Sequence, residues 1–166
     1  MKTLKSLVIA AIICLGQFSF AQETMENPTA AEDIKVVADY IDALMTNKME
    51  VASELVADDF VGSGPANGDT QNKSELITSW TEINKIRTNK KNDYVSHSFR
   101  VKGGDLEGDW VSVWGTYYYS QNNVDIVLPY QYTAEVKNGK MQRGIIYYDN
   151  LAVADMMGYE LKEKKK

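Results

Sequence analysis

Beyond Lys91 the hydrophobic period of this chain changes, and that change limits the available folds more than any other feature. Before it, apolar residues recur every three or four positions; after it they alternate in twos. The first spacing suits one face of a helix and the second one face of a pleated strand, so helices come first and a sheet follows.

The helical part carries its own start signals. Thr29-Ala-Ala-Glu32 has the spacing of a capping box and predicts a helix start, after which Ile34, Val37, Ala38, Ile41, Leu44 and Met45 form one stripe with Tyr40 beside it. A shorter helical piece is expected around Met49 to Ala57, with Val51, Leu55 and Val56 apolar. Gly62, Gly64, Pro65 and Gly68 then predict a loop. Asn72-Lys-Ser-Glu75 repeats the capping logic ahead of Leu76, Ile77, Trp80 and Ile83, the stripe of a third helix.

In the second part Val95, His97, Phe99 and Val101 share a face of a first strand. Trp110 to Tyr119 reads as a second strand, Val124 to Val136 as a third and Lys140 to Tyr148 as a fourth, with turns at Asn122-Asn123 and Asn138-Gly139. Connections this short force antiparallel neighbours. The expected architecture is therefore α+β, helices followed by an antiparallel meander.

Residues 1–21 are expected to be a secretory signal peptide: Lys2 and Lys5, an apolar run from Leu7 to Leu15, and small residues at Ser19 and Ala21. The expected localisation is thus exported, periplasmic or secreted. Ile12 and Ile13 argue against a lipoprotein signal acylated on Cys14, and the run is too short for a bilayer span of roughly 20 residues. Cys14 is the only cysteine, so the exported product has no thiol, and disulfides, thiol catalysis and cysteine metal sites drop out. Removing 21 of the 166 residues leaves roughly 145, one domain's worth. It also removes two lysines and no acid, so the net charge of −5 becomes more negative. An acidic domain without clustered basic residues is a poor partner for nucleic acid.

Nine of the ten tyrosines and all three tryptophans lie between Trp80 and Tyr159, which fits either sheet packing or an aromatic pocket. On the second strand Val111, Val113, Tyr117 and Tyr119 oppose Trp110, Trp114 and Tyr118, so neither face is plainly meant for water. Helices can cover one face, and a homodimer through the sheet would cover the other. His97, the only histidine, is either a hydrogen-bonded core imidazole or a pocket base. With no second histidine no zinc site is expected, and a hydrolytic triad lacks its Gly-x-Ser-x-Gly elbow. Asp58 and Asp59 precede a loop, where a turn role is the default; Asp149, after Ile145-Ile146-Tyr147-Tyr148, either caps the next segment or faces a cavity.

The pattern Val36-Val37-Ala-Asp-Tyr40-Ile41, then Glu54-Leu-Val-Ala-Asp58-Asp59-Phe60, then a helix ending in Trp80 and four strands, resembles the nuclear transport factor 2-like superfamily, particularly its SnoaL-like branch. The segment Asp149 to Gly158 keeps that branch's spacing, with Asp155 and Met156 where glutamines are usual. The resemblance implies a cone-shaped, strongly bent antiparallel sheet wrapped around about three N-terminal helices, a cystatin-like α+β barrel with a pocket between them and frequent dimers. It places the domain at 31–160, after a linker at 22–30 and before a charged tail at 161–166.

Ketosteroid isomerase belongs to the same superfamily, and there a tyrosine and a protonated aspartic acid stabilise an enolate formed by an aspartate base. Tyr40 resembles its oxyanion tyrosine, and Asp59-Phe60-Val61-Gly62-Ser63-Gly64-Pro65 superficially resembles the stretch holding its base. Asp59 matches equally the structural Ala-Asp-Asp of the wider superfamily. In place of the protonated acid, Pro129-Tyr130-Gln131 presents an amide, which donates but does not titrate. SnoaL-like cyclases, by resemblance, use a pocket carboxylate as acid and base, which directs attention to Asp149, with His97 and Tyr40 as helpers. Three functions follow: a receptor for an apolar or ring-shaped molecule, without cofactor or chemistry, lined by Tyr40, Trp80, His97, Trp114, Gln131 and Tyr147; a cofactor-independent isomerase, cyclase or dehydratase; and a dimerisation or scaffold module.

Overall fold

The computed structural model describes residues 23–160 and residue 162. The signal peptide expected at 1–21 and all of the 161–166 tail except Lys162 lie outside them. Helix α1 (Ala30–Met45) buries Val37, Tyr40, Ile41 and Leu44 as its spacing predicts. Its start is correct but the expected cap is not: Thr29 caps no backbone amide. The buried Asn27 side chain organises this end instead. Its Oδ1 accepts from the Thr29 amide at 2.9 Å, while its Nδ2 donates to Asp33 Oδ2 at 2.6 Å and to Ser98 Oγ at 2.8 Å. Strand β1 (Glu23–Met25) pairs with β4 (Thr88–Lys102), so most of the stretch expected to be a linker belongs to the fold.

Helix α2 (Met49–Glu54) stops earlier than its apolar spacing suggests, because Val56 opens strand β2 (Val56–Ser63). The strand escapes a period-two reading because its register is broken between Val56 and Val61, where Asp58 and Asp59 face solvent and Phe60 is buried. A further short strand, β3 (Thr70–Asn72), pairs with β2 and runs into α3 (Lys73–Ile86). The capping box here forms as expected: the Glu75 amide donates to Asn72 Oδ1 at 3.0 Å and the Asn72 amide donates to Glu75 Oε2 at 2.8 Å.

Strands β4, β5 (Gly108–Gln121), β6 (Val124–Lys137) and β7 (Lys140–Tyr148) form the expected antiparallel meander. Both residues of each tight turn have positive φ, at Asn122-Asn123 and at Asn138-Gly139, the geometry that matches strand twist in a two-residue hairpin. The meander is part of a larger sheet in the order β1-β4-β5-β6-β7-β2-β3. Within it β2 runs parallel to β7, so the sheet is mixed where a wholly antiparallel one was expected. The α+β class holds, and the curled, open sheet forms a cone around α1 and α3. A last helix, α4 (Asn150–Met156), crosses beside the open end.

One core cluster packs Val37, Ile41 and Leu44 of α1 against Val111, Val113, Ala134, Val136 and Met141 of the sheet. A second, nearer the open end, consists of Tyr117, Tyr119, Ile126 and Leu128. Burial of such side chains contributes about 1.5–3 kcal/mol each. The space between the two clusters is left unfilled.

Candidate functional site

That space is a cavity of about 280 Å³ between α1, α3, the inner face of the sheet and α4. Strand alternation sends every second residue into it: Tyr117 and Tyr119 from β5, Tyr130 and Tyr132 from β6, Ile146 and Tyr148 from β7. Tyr40, Leu44, Trp80 and Ile83 close it from the helices.

Two glycines make room for the rings. A Cβ at Gly115 would lie 2.8 Å from Tyr130 Cε1, and one at Gly144 would lie 2.2 Å from the Tyr132 hydroxyl. Both tyrosine rings therefore lie over backbone that carries no side chain. Tyr132 also stacks with Tyr40, ring centroids 6.3 Å apart.

The wall is aromatic, hydroxylated and nearly uncharged. Burial pushes the Tyr40 and Tyr132 hydroxyls well above the usual tyrosine range, and Tyr117, Tyr130 and Tyr148 upward as well. All five stay protonated near neutrality and act as neutral hydrogen-bond groups. Asn92 Nδ2 donates to the Tyr130 hydroxyl at 2.9 Å. Among the described residues, three buried polar atoms of the wall make no hydrogen bond of ordinary geometry: Asn92 Oδ1, Tyr117 OH and Tyr119 OH. Among the described residues of the wall Arg87 is the one charged side chain, and no Asp, Glu or His is present.

The residues singled out in the sequence divide sharply. Tyr40 and Trp80 line the cavity. His97, Trp114, Gln131 and Tyr147 do not, because their strand positions face the other side of the sheet. The face carrying His97 also carries Val95, 69% exposed, so it is the outer one, and His97 is exposed and stacked on Phe99. Asp59 is exposed on β2. Asp149 takes the capping alternative: its Oδ1 accepts from the Ala152 amide at 2.9 Å at the start of α4, and the residue is exposed. None of the carboxylates or the histidine proposed for acid/base chemistry reaches the cavity.

Sequence reasoning missed Arg87, Asn92, Tyr117, Tyr119, Tyr130, Tyr132 and Tyr148. A usable signal existed for some of them. Tyr117 and Tyr119 continue the parity of Val111 and Val113, one of the two faces between which the sequence left the helices' choice open. Among the described residues no group of three His, Cys, Asp or Glu side chains is placed to hold a metal ion, and no helix is long and apolar enough to cross a membrane.

No protein-family model and no curated protein matches the chain by sequence. Solved structures match it by shape. An LEH-like epoxide hydrolase from M. tuberculosis superposes with a TM-score of 0.58 at 17% identity, over 78% of this chain and 90% of that one. A protein designated a SnoaL-like polyketide cyclase, from Shewanella denitrificans OS-217, gives 0.61 at 13% identity, over 79% and 98%. A protein of ketosteroid isomerase-like fold from Catenulispora acidiphila DSM 44928, in complex with trimethylamine, gives 0.60 at 14% identity, over 76% and 94%. Identities this low establish a shared fold and nothing about activity.

Proposed function

We propose that this chain, which has the nuclear transport factor 2-like fold in its SnoaL-like form, is a receptor for a small ring-shaped molecule held inside the cone, without chemistry of its own. The observation that carries the reading is the character of the wall: an aromatic cavity of about 280 Å³ whose polar groups, Arg87 apart, are neutral hydroxyls and amides, with no carboxylate or imidazole among its described residues. Enolate chemistry needs a base within hydrogen-bond reach of the proton it removes. Asp59, Asp149 and His97 are all elsewhere. For comparison, a dry cavity of about 150 Å³ accommodates benzene. The space here suits roughly a bicyclic ring system.

Thermal-shift and calorimetric titration of the chain from residue 22 with one- to three-ring aromatic and alicyclic compounds tests the reading. Saturable 1:1 binding that is lost in Tyr132→Trp, where the larger ring fills the cavity, is the expected result. Turnover of a bound ketone or epoxide would overturn the absence of chemistry.

The outer face favours a second copy of the chain as partner. Val95, Val127, Trp114 and Tyr147 are 69, 50, 47 and 57% exposed on the sheet side away from the helices. Light scattering at micromolar concentration is expected to show a dimer that Trp114→Glu dissociates; a monomeric parent would end this proposal. Export rests on the signal-like residues 1–21, and an N-terminus at Gln22 in the mature protein, read by mass spectrometry, checks it.

A further inference from the structure

Arg87 follows α3 as its C-terminal cap residue, half-buried in the cavity wall. It belongs to none of the ion pairs among the described residues. Its guanidinium carbon lies 4.0 Å from the Tyr119 ring centroid and 5.6 Å from that of Tyr117. Stacking of this kind uses the face of the guanidinium and leaves its in-plane N–H donors free for other acceptors. One of them is taken: Nε donates to the neutral Gln121 Oε1 at 3.2 Å. No hydrogen bond of ordinary geometry is found for the Nη donors among the described residues, although the guanidinium interacts with the Tyr117 hydroxyl.

The same region holds buried hydroxyls that make no hydrogen bond of ordinary geometry, Tyr117 OH and Tyr119 OH. Arg87 lies close enough to Tyr117 to ease its ionisation in part, yet no hydrogen bond of ordinary geometry joins them. Burial dominates and keeps the Tyr117 hydroxyl protonated, hence able to donate. A positive charge facing an apolar cavity, with no counter-charge and protonated hydroxyls beside it, is a poor arrangement for an empty pocket. It is a good one for an anion, because a guanidinium matches a carboxylate with two parallel hydrogen bonds.

Building on the receptor reading above, we infer that the cavity selects a ring-bearing carboxylate, with its ring among Tyr40, Trp80, Tyr130 and Tyr132 and its anionic end against Arg87 and the Tyr117 and Tyr119 hydroxyls. Asn92 Oδ1, the remaining unpaired acceptor, is available to a hydroxyl on the same ligand.

The test compares two probes of nearly equal shape, 2-naphthoate and 2-naphthalenemethanol, by calorimetric titration at low and high salt. The expected result is a preference for the carboxylate of roughly 10- to 100-fold, the range for hydrogen bonds to a charged group. The preference should fall to within about threefold of unity in Arg87→Met and be partly restored in Arg87→Lys. Equal binding of both probes, or a preference that survives Arg87→Met, overturns the inference and leaves the receptor reading standing. Failure of both probes to bind overturns the two together. If Arg87→Met does not fold, Arg87→Gln, which removes the charge and keeps a polar side chain of similar reach, makes the same comparison and is expected to lose the preference; its survival overturns the inference.

Discussion

Gly144→Ala is the sharpest probe of how the cavity is built. The added Cβ would lie 2.2 Å from the Tyr132 hydroxyl, 2.8 Å from Cζ and 3.0 Å from Cε2. These separations are well inside van der Waals contact, about 3.5–4.0 Å for carbon pairs. A terminal atom on a flexible side chain could swing aside, but this ring is wedged against Tyr40 and the core that Val113 and Ala134 help to form. The clash is therefore relieved by displacing the ring or the strand, which typically costs about 1–3 kcal/mol. For a domain of this size that corresponds to a fall in melting temperature of roughly 3–12 °C. Urea unfolding followed by circular dichroism measures it, with the slope checked for constancy. Tyr132→Phe removes the nearest contact atom, so Gly144→Ala should cost less in that background than alone, and the double-mutant cycle reads the coupling. A loss below about 0.5 kcal/mol for Gly144→Ala in the wild-type background would refute the argument that the glycine gap positions the ring.

Further outcomes follow from the same geometry. Tyr117→Phe removes a buried hydroxyl that makes no hydrogen bond of ordinary geometry, so stability should be unchanged or rise by up to about 1 kcal/mol in denaturant titration, while naphthoate affinity falls. Asp149→Ala removes the cap of α4, worth about 1 kcal/mol. Because α4 has no buried residue, the effect should appear as faster amide exchange over residues 152–156 with little change in melting temperature. Tyr40, Tyr117, Tyr130, Tyr132 and Tyr148 all have folded-state values raised above about 10, that of the unfolded chain. Their contribution is complete below pH ~10 and is lost progressively above it, since the unfolded tyrosines release protons that the folded ones retain. Stability measured between pH 9 and 12 should fall from about pH 10, and a flat profile there would contradict the burial of these hydroxyls.

Local periodicity and turn chemistry determine much of this protein directly from its residues. The α1 stripe, the Asn72–Glu75 capping box, the paired positive-φ turns and the four-strand meander are all short-range features, and each residue's neighbours are sufficient to specify them. Strand alternation likewise states which residues share a face, as in Val111, Val113, Tyr117 and Tyr119. Which face turns inward is a different matter. Val95, His97 and Phe99 looked like a core face, and only the placement of α1 against Tyr94 and the opposite face of β4 made it the outer one. The parity exchange sent Trp114, Gln131 and Tyr147 outward with them and Tyr130 and Tyr132 inward.

Tertiary structure decided the rest, because the relevant contacts join residues far apart in the chain. Pairing of β2 with β7 is parallel, spans some eighty positions and contains a register break that hides the strand from a period-two reading. Asn27 meets Ser98 across 71 residues, and that long-range hydrogen bond is part of the network that replaces the expected Thr29 cap. Arg87 is an ordinary basic residue at a helix end until the curl of the sheet brings Tyr117 and Tyr119 under it. The period change after Lys91 thus set the class of the fold, while the closing of the sheet around α1 and α3 chose the side chains that face the cavity.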